Sequence, residues 1–276
     1  MRLKEGSFTS VTKQQLFFRH WLPERHPKGM VTLVHGYAEH SGRYEEMARS
    51  FTGEGLGVAA FDLVGHGKSG GRPGYIDSID DCIADLGLFR RLVAGEYPGI
   101  EHPILGHSMG GAVVILSILA RAVRTNAAVL SSPSIHLSEA KWLQKASTLL
   151  SRFAPTIPTI SFDRSLIARD ISVVNAAKAD PLNYEGPVLL RTGAEIARAA
   201  ERINTMMEAF DTPFLIIHGT ADKIVKPSGS QEFFDSVQST DKSIRLYDGL
   251  YHETFNEVDD GPRVVGEITE WLVARI

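Results

Sequence analysis

The sequence is poor in the features that announce several classes of protein. It holds one cysteine, Cys82, so no internal disulfide can form, which fits a reducing compartment. No stretch approaches the ~18 apolar residues of a membrane span. Met1-Arg2-Leu3-Lys4-Glu5-Gly6 opens without the apolar run of a secretory signal. A cytoplasmic address, peripheral to membranes, is therefore expected. Positive charge is not in excess: the net charge is −4 and the pI about 6.2, so no overall basic field draws nucleic acid. Tandem repeats and low-complexity tracts are absent. What is present, 276 residues with 43% hydrophobic and 22% charged, suits one α/β domain with an insertion and a buried sheet core.

Short apolar runs bounded by turn residues recur along the chain. Segments 7–12 and 15–22 read as a hairpin, the second rich in aromatics. Runs at 30–35, 58–61, 103–105, 127–130, 214–218 and 244–247 suit strands buried on both faces of a parallel sheet. Helical patterns lie between them at 43–52, 79–96, 109–123, 231–237 and 264–273. This alternation predicts an α/β fold with a doubly wound, mostly parallel sheet, whose site forms at the carboxyl ends of the strands.

The rhythm breaks between about 134 and 208, where helical patterns and several prolines replace strand signals. The expected organisation is a core of 1–133 and 209–276 with a helical cap inserted at 134–208. Trp142, Leu143, Ala146, Leu149, Leu150 and Phe153 fall on one helical stripe there. Two readings of it stand: a helix packed on the core, or a lipid-facing gate.

Gly106-His107-Ser108-Met109-Gly110 follows an apolar strand and opens an apolar helix. That context makes the glycine-x-serine-x-glycine pattern informative: a sharp strand-to-helix turn demands small neighbours and lifts the serine above the sheet, at a helix N-terminus. Ser108 is thus the candidate nucleophile. Gly67-Lys68-Ser69-Gly70-Gly71 matches the same pattern but runs into Arg72-Pro73-Gly74 rather than a helix, so Ser69 is rejected. A phosphate-binding loop ending at Gly67-Lys68-Ser69 would need glycine where Asp62 stands.

A serine hydroxyl needs a base. His252 lies on a loop after the last predicted strand and ahead of the final helix. Asp222 follows the preceding strand, which completes the chain order serine, acid, histidine. Its role would be to fix the imidazole tautomer and stabilise the imidazolium. Asp248 competes, but stands too close in sequence to fold back easily. The backbone N–H groups of Tyr37 and Met109 are the expected oxyanion donors, with His35 supporting the loop. Asn256 stands where a zinc-protease helix would carry its second histidine. His66, His102, His107 and His218 read as packing or supporting groups, and neither a metal site nor a cofactor is expected.

Val34-His35-Gly36-Tyr37-Ala38-Glu39-His40-Ser41-Gly42-Arg43-Tyr44 closely resembles the monoacylglycerol lipase family of α/β-hydrolase-fold serine hydrolases. So do Phe61-Asp62-Leu63-Val64-Gly65-His66-Gly67-Lys68-Ser69 and Gly106-His107-Ser108-Met109-Gly110-Gly111. The resemblance covers most of the chain outside the cap. It implies the triad Ser108, Asp222 and His252, and a monoacylglycerol or similar lipid ester as substrate. It also implies a polar pocket lined by Glu39 and Arg43 near the glycerol head group; transient contact of the cap with a membrane surface is what the lipid-facing reading of the apolar stripe would bring. Those two residues read equally as a solvated helix start. The size of Tyr37 narrows the pocket without disturbing its own N–H. A lysophospholipase or broad carboxylesterase would use the same triad. A non-catalytic lipid-binding protein would not need one, and the carboxylate nucleophiles of epoxide hydrolases and haloalkane dehalogenases are absent at the elbow.

Overall fold

Successive side chains of a strand point to opposite faces of its sheet, and here that alternation splits the apolar residues between two cores. Strands β1 (Arg2–Thr9), β2 (Gln15–Leu22), β3 (Met30–Val34), β4 (Gly57–Phe61), β5 (Ile104–His107) and β6 (Ala128–Ser131) precede the long excursion. Strands β7 (Pro158–Ser161) and β8 (Pro187–Leu189) lie within it, and β9 (Phe214–Gly219) and β10 (Lys242–Tyr247) follow. Met30, Val34, Ala59, Phe61, Ile104, Leu130 and Ile216 face one core; Val31, Leu33, Val58, Ala60, Leu105, Val129 and Ile217 face the other.

The computed structural model describes residues 1–136 and 150–276. Among these, the main sheet runs β1-β2-β4-β3-β5-β6-β9-β10. The first hairpin and the β2–β4 pair are antiparallel, and every other pair is parallel. The sheet is accompanied by helices α1 (Glu45–Gly53), α2 (Ile79–Glu96), α3 (Met109–Leu119), α4 (Ile171–Ala179), α5 (Leu190–Met206), α6 (Pro227–Ser236) and α7 (Gly261–Val273), with short 3-10 turns between some elements. Residues of α1 and α7 fill one core, and those of α2, α3 and α5 the other. The doubly wound, mostly parallel sheet is the one expected, with the first strand starting at Arg2 rather than at 7.

Helix α2 shows how local chemistry sets a boundary. Ser78 accepts a hydrogen bond from the Asp80 N–H, and Asp80 and Asp81 sit in the first turn, where the helix dipole favours negative charge. Tyr97-Pro98-Gly99 ends it, with Gly99 at φ 79°.

The excursion differs from its sequence reading in two respects. It contains a small antiparallel sheet, β7 with β8. Its last helix, α5, places Ala199 and Ile203 in the same core as α3, so this helix packs with the main body. Of the apolar stripe, Trp142, Leu143, Ala146 and Leu149 lie outside the described residues, while Leu150 and Phe153 are exposed. No helix among the described residues is long and apolar enough to cross a membrane.

Candidate active site

Ser108 stands between β5 and α3 with φ 52° and ψ −119°, a conformation that costs a non-glycine residue about 1–3 kcal/mol. The turn survives because its neighbours have no side chains. A Cβ on Gly106 would meet the Gly110 carbonyl at 2.6 Å, and one on Gly110 would meet the carbonyl oxygens of Val34 and His35 at 2.3 and 2.4 Å. The Ser108 Oγ lies 3.5 Å from the Ser134 Oγ.

His252 and Asp222 come from the loops after β10 and β9. His252 Nδ1 donates to Asp222 Oδ2 at 2.6 Å. His218 Nε2 reaches the same oxygen at 3.0 Å, while Oδ1 accepts the N–H groups of Ile224 and Val225 at 2.8 and 3.0 Å. Burial opposes the Asp222 charge, but His252 and the His218 hydrogen bond outweigh it and hold the carboxyl far below the ordinary range. Burial likewise opposes an imidazolium at His252, yet the adjacent Asp222 raises that ring above its usual value. The competitor Asp248 is exposed and accepts from Thr220 Oγ1 at 3.1 Å.

The loop after β3 carries Tyr37. His35 pins this loop: its Nε2 accepts the Leu63 N–H at 2.9 Å, so Nδ1 carries the proton and donates to the Gly36 carbonyl at 2.7 Å. Met109 is the first residue of α3, so its N–H is one of the four without an intrahelical acceptor. Neither it nor the Tyr37 N–H has an acceptor among the described residues.

Glu39 and Arg43 are buried, not a solvated helix start. Glu39 Oε1 accepts the Gly36 N–H at 2.6 Å and the Tyr44 hydroxyl at 2.7 Å. Arg43 donates to Glu39 Oε2 at 3.0 Å and grips Glu253 with both Nη atoms, at 2.6 and 2.7 Å. Burial disfavours the Glu253 charge, but Arg43 takes its carboxyl down to about 2. Gly36, Tyr37, Glu39, Arg43, Ser108 and His252 all line one pocket, together with His107, Phe162, Arg164 and Glu253.

One of these surroundings has no signal in the sequence. Glu253 lies 210 positions from Arg43, and no spacing rule links them. His218 is a supporting group, as expected, and its hold on Asp222 depends on the turn after β9 bending back by four residues. Ser69 is structural: its hydroxyl donates to the Asp62 carbonyl at 2.5 Å and accepts the Phe17 N–H at 2.9 Å.

The excursion grips the loops around the pocket. Arg164 Nη2 and the Tyr184 N–H both donate to the Ala38 carbonyl, at 2.8 and 3.1 Å, and His40 Nε2 contacts Asp180 at 2.8 Å. The Glu253 N–H donates to the Ile167 carbonyl at 2.8 Å, and Glu257 accepts the Arg169 N–H at 3.1 Å.

The chain is 35% identical to the monoacylglycerol lipase of Mycolicibacterium smegmatis over 99% of its own length and 98% of that protein. It belongs to the monoacylglycerol lipase family. The rat monoglyceride lipase is 33% identical over 95% of this chain and 88% of its own. The crystal structure of the Paleococcus ferrophilus monoacylglycerol lipase superposes with a TM-score of 0.82 at 30% identity, with all of both chains covered. A broader family described as "Serine aminopeptidase, S33" matches residues 25–259.

Proposed function

We propose that this chain hydrolyses the ester bond of monoacylglycerols to fatty acid and glycerol, with Ser108 as nucleophile, His252 as base and Asp222 as the group that orients the base. The carrying observation is that Ser108, on its strained turn, and His252, held from behind by Asp222, line one pocket in a member of this family. The Ser108 Oγ attacks the ester carbonyl while His252 Nε2 takes its proton. The N–H groups of Tyr37 and Met109 receive the oxyanion. Collapse expels the glycerol oxygen, which takes the proton from His252 and leaves an acyl-serine. Water, deprotonated by His252, then releases the fatty acid and restores Ser108. At rest the Ser108 Oγ lies against Ser134; it forms its bond to His252 Nε2 when substrate fills the pocket.

Glu39 and Arg43 form the polar wall of the pocket. The excursion from 134 serves as the cap, up to the start of α5, and its exposed Leu150, Phe153, Ile157 and Ile160 touch the lipid surface from which substrate is drawn. A lysophospholipid is disfavoured because both arginines of the pocket are already paired, Arg43 with Glu39 and Glu253, and Arg164 with Glu185.

The test is a panel of mono-, di- and triacylglycerols, a lysophospholipid and short nitrophenyl esters, with Ser108→Ala as control. Preference for monoacylglycerols, lost in the variant, is the expected result. Turnover of short esters alone would leave a general esterase, and turnover by Ser108→Ala would sink the nucleophile assignment.

A further inference from the structure

We propose that Glu253 and Arg43 are positioning residues that hold the loop carrying Tyr37 and the loop carrying His252 in one register. The inference rests on the roles given above to those two residues. A continuous chain of hydrogen bonds joins the loops. The Gly36 N–H donates to Glu39, Arg43 donates to Glu39 on one side and to Glu253 on the other, and Glu253 directly follows His252. The link is stiff because the contact between Arg43 and Glu253 is a planar two-point fork, and both side chains are more than nine-tenths buried.

The wall is also internally occupied. Glu39 accepts from Gly36, Tyr44 and Arg43, and Glu253 accepts from both Arg43 Nη atoms and from Asn256 Nδ2 at 2.8 Å. Each carboxylate so engaged keeps only about one of its four acceptor sites for a glycerol hydroxyl, whereas the loops they pin carry the oxyanion donor and the base. Catalytic geometry of this kind is sensitive to displacements of about 1 Å.

The wall has a second effect. Two carboxylates surround one guanidinium, so one negative charge is left over beside the base. The titratable groups facing His252 are Asp222, Glu253, Glu39 and His107, with Arg43 paired to both glutamates. Glu253 and Glu39 both favour the imidazolium that forms as Ser108 attacks.

The experiment compares Arg43→Lys and Glu253→Gln with the parent chain on a long-chain monoacylglycerol and on a nitrophenyl ester that has no glycerol. Arg43→Lys keeps the buried charge and loses only the fork, and thermal unfolding checks that each variant is folded. A positioning role predicts a kcat lower by roughly ten- to hundredfold on both substrates with KM unchanged. It also predicts an acid limb of the pH–rate profile displaced to lower pH in Glu253→Gln. A raised KM for the monoacylglycerol alone, with the nitrophenyl ester turned over normally, would overturn the proposal and make the wall a glycerol subsite. Parent-like kcat on both substrates would overturn it as well. Ser108→Ala is run alongside: activity surviving there would fail the nucleophile assignment instead, whatever the other two variants do.

Discussion

His218 and His252 share one oxygen of Asp222, at 3.0 and 2.6 Å. His218 in turn is fixed by Ser230, whose hydroxyl lies 2.7 Å from its Nδ1. The carboxylate therefore receives donors on both oxygens, and Asp222→Asn replaces one accepting oxygen with an amide that can only donate. The expected fall in kcat is about 10⁴-fold, from an imidazole in the wrong tautomer. His218→Ala should spare more activity but destabilise the fold by about 1–3 kcal/mol, because the Ser230 hydroxyl and one Asp222 lone pair lose their partner in the interior. Steady-state kinetics and chemical denaturation of both variants check this.

The pH dependence follows from the same pair. A base works unprotonated, and the Asp222 carboxylate has raised His252 above its ordinary 6.5. The kcat/KM should therefore climb through a titration lying above 6.5. Stability moves differently at the two ends. The raised His252 contributes fully below its unfolded value and loses that contribution as pH climbs through the folded one. The depressed Asp222, Glu39 and Glu253 contribute above their ordinary carboxylate range and lose it as pH falls below. The unfolding midpoint should drop steeply in acid and decline mildly on the alkaline side, as a pH series of thermal melts would show.

The two serines that share one sequence pattern should part company. Ser69→Ala removes a hydrogen bond to Asp62 and the acceptor for the Phe17 N–H, costing about 1 kcal/mol with activity retained. Ser108→Gly relieves a positive φ and should stabilise the fold by roughly 1 kcal/mol while abolishing labelling by a serine-directed phosphonate. Labelling that persists in Ser108→Gly and disappears in Ser69→Ala would reverse the assignment.

Gly110→Ala should be severely destabilising. Its Cβ would press on two backbone carbonyls, which cannot turn aside as a side chain would. A loss of roughly 3 kcal/mol or more is expected, read as a lowered denaturation midpoint or as insoluble expression.

Much of this architecture was legible because its signals are local. Helix α2 matched its expected bounds, 79–96, since Ser78 and the Tyr97-Pro98-Gly99 turn mark both ends within a few residues. Ser108, Asp222 and His252 could be located because each follows a strand whose apolar run is plain. Helix α3 ends at Leu119 rather than 123, although its apolar character continues beyond. Strands β7 and β8 were invisible: four and three residues long, they acquire their identity only by pairing with each other. Glu253 reads as an ordinary loop acid until the fold brings Arg43 across to it. Helix α5 carries a strongly amphipathic pattern, but the pattern does not say which body its apolar face meets.

The excursion's anchors bear on how this enzyme family can diversify. Arg164 and Tyr184 hold Ala38 on one loop, while Ile167 and Arg169 hold Glu253 and Glu257 on another. In its proposed role as a cap, the excursion is thereby bolted to the loops proposed to carry the chemistry. Swapping it wholesale between relatives would transplant acyl preference and disturb turnover in one act. Successful chimeras would have to carry these anchor residues, or their partners, across the graft boundary.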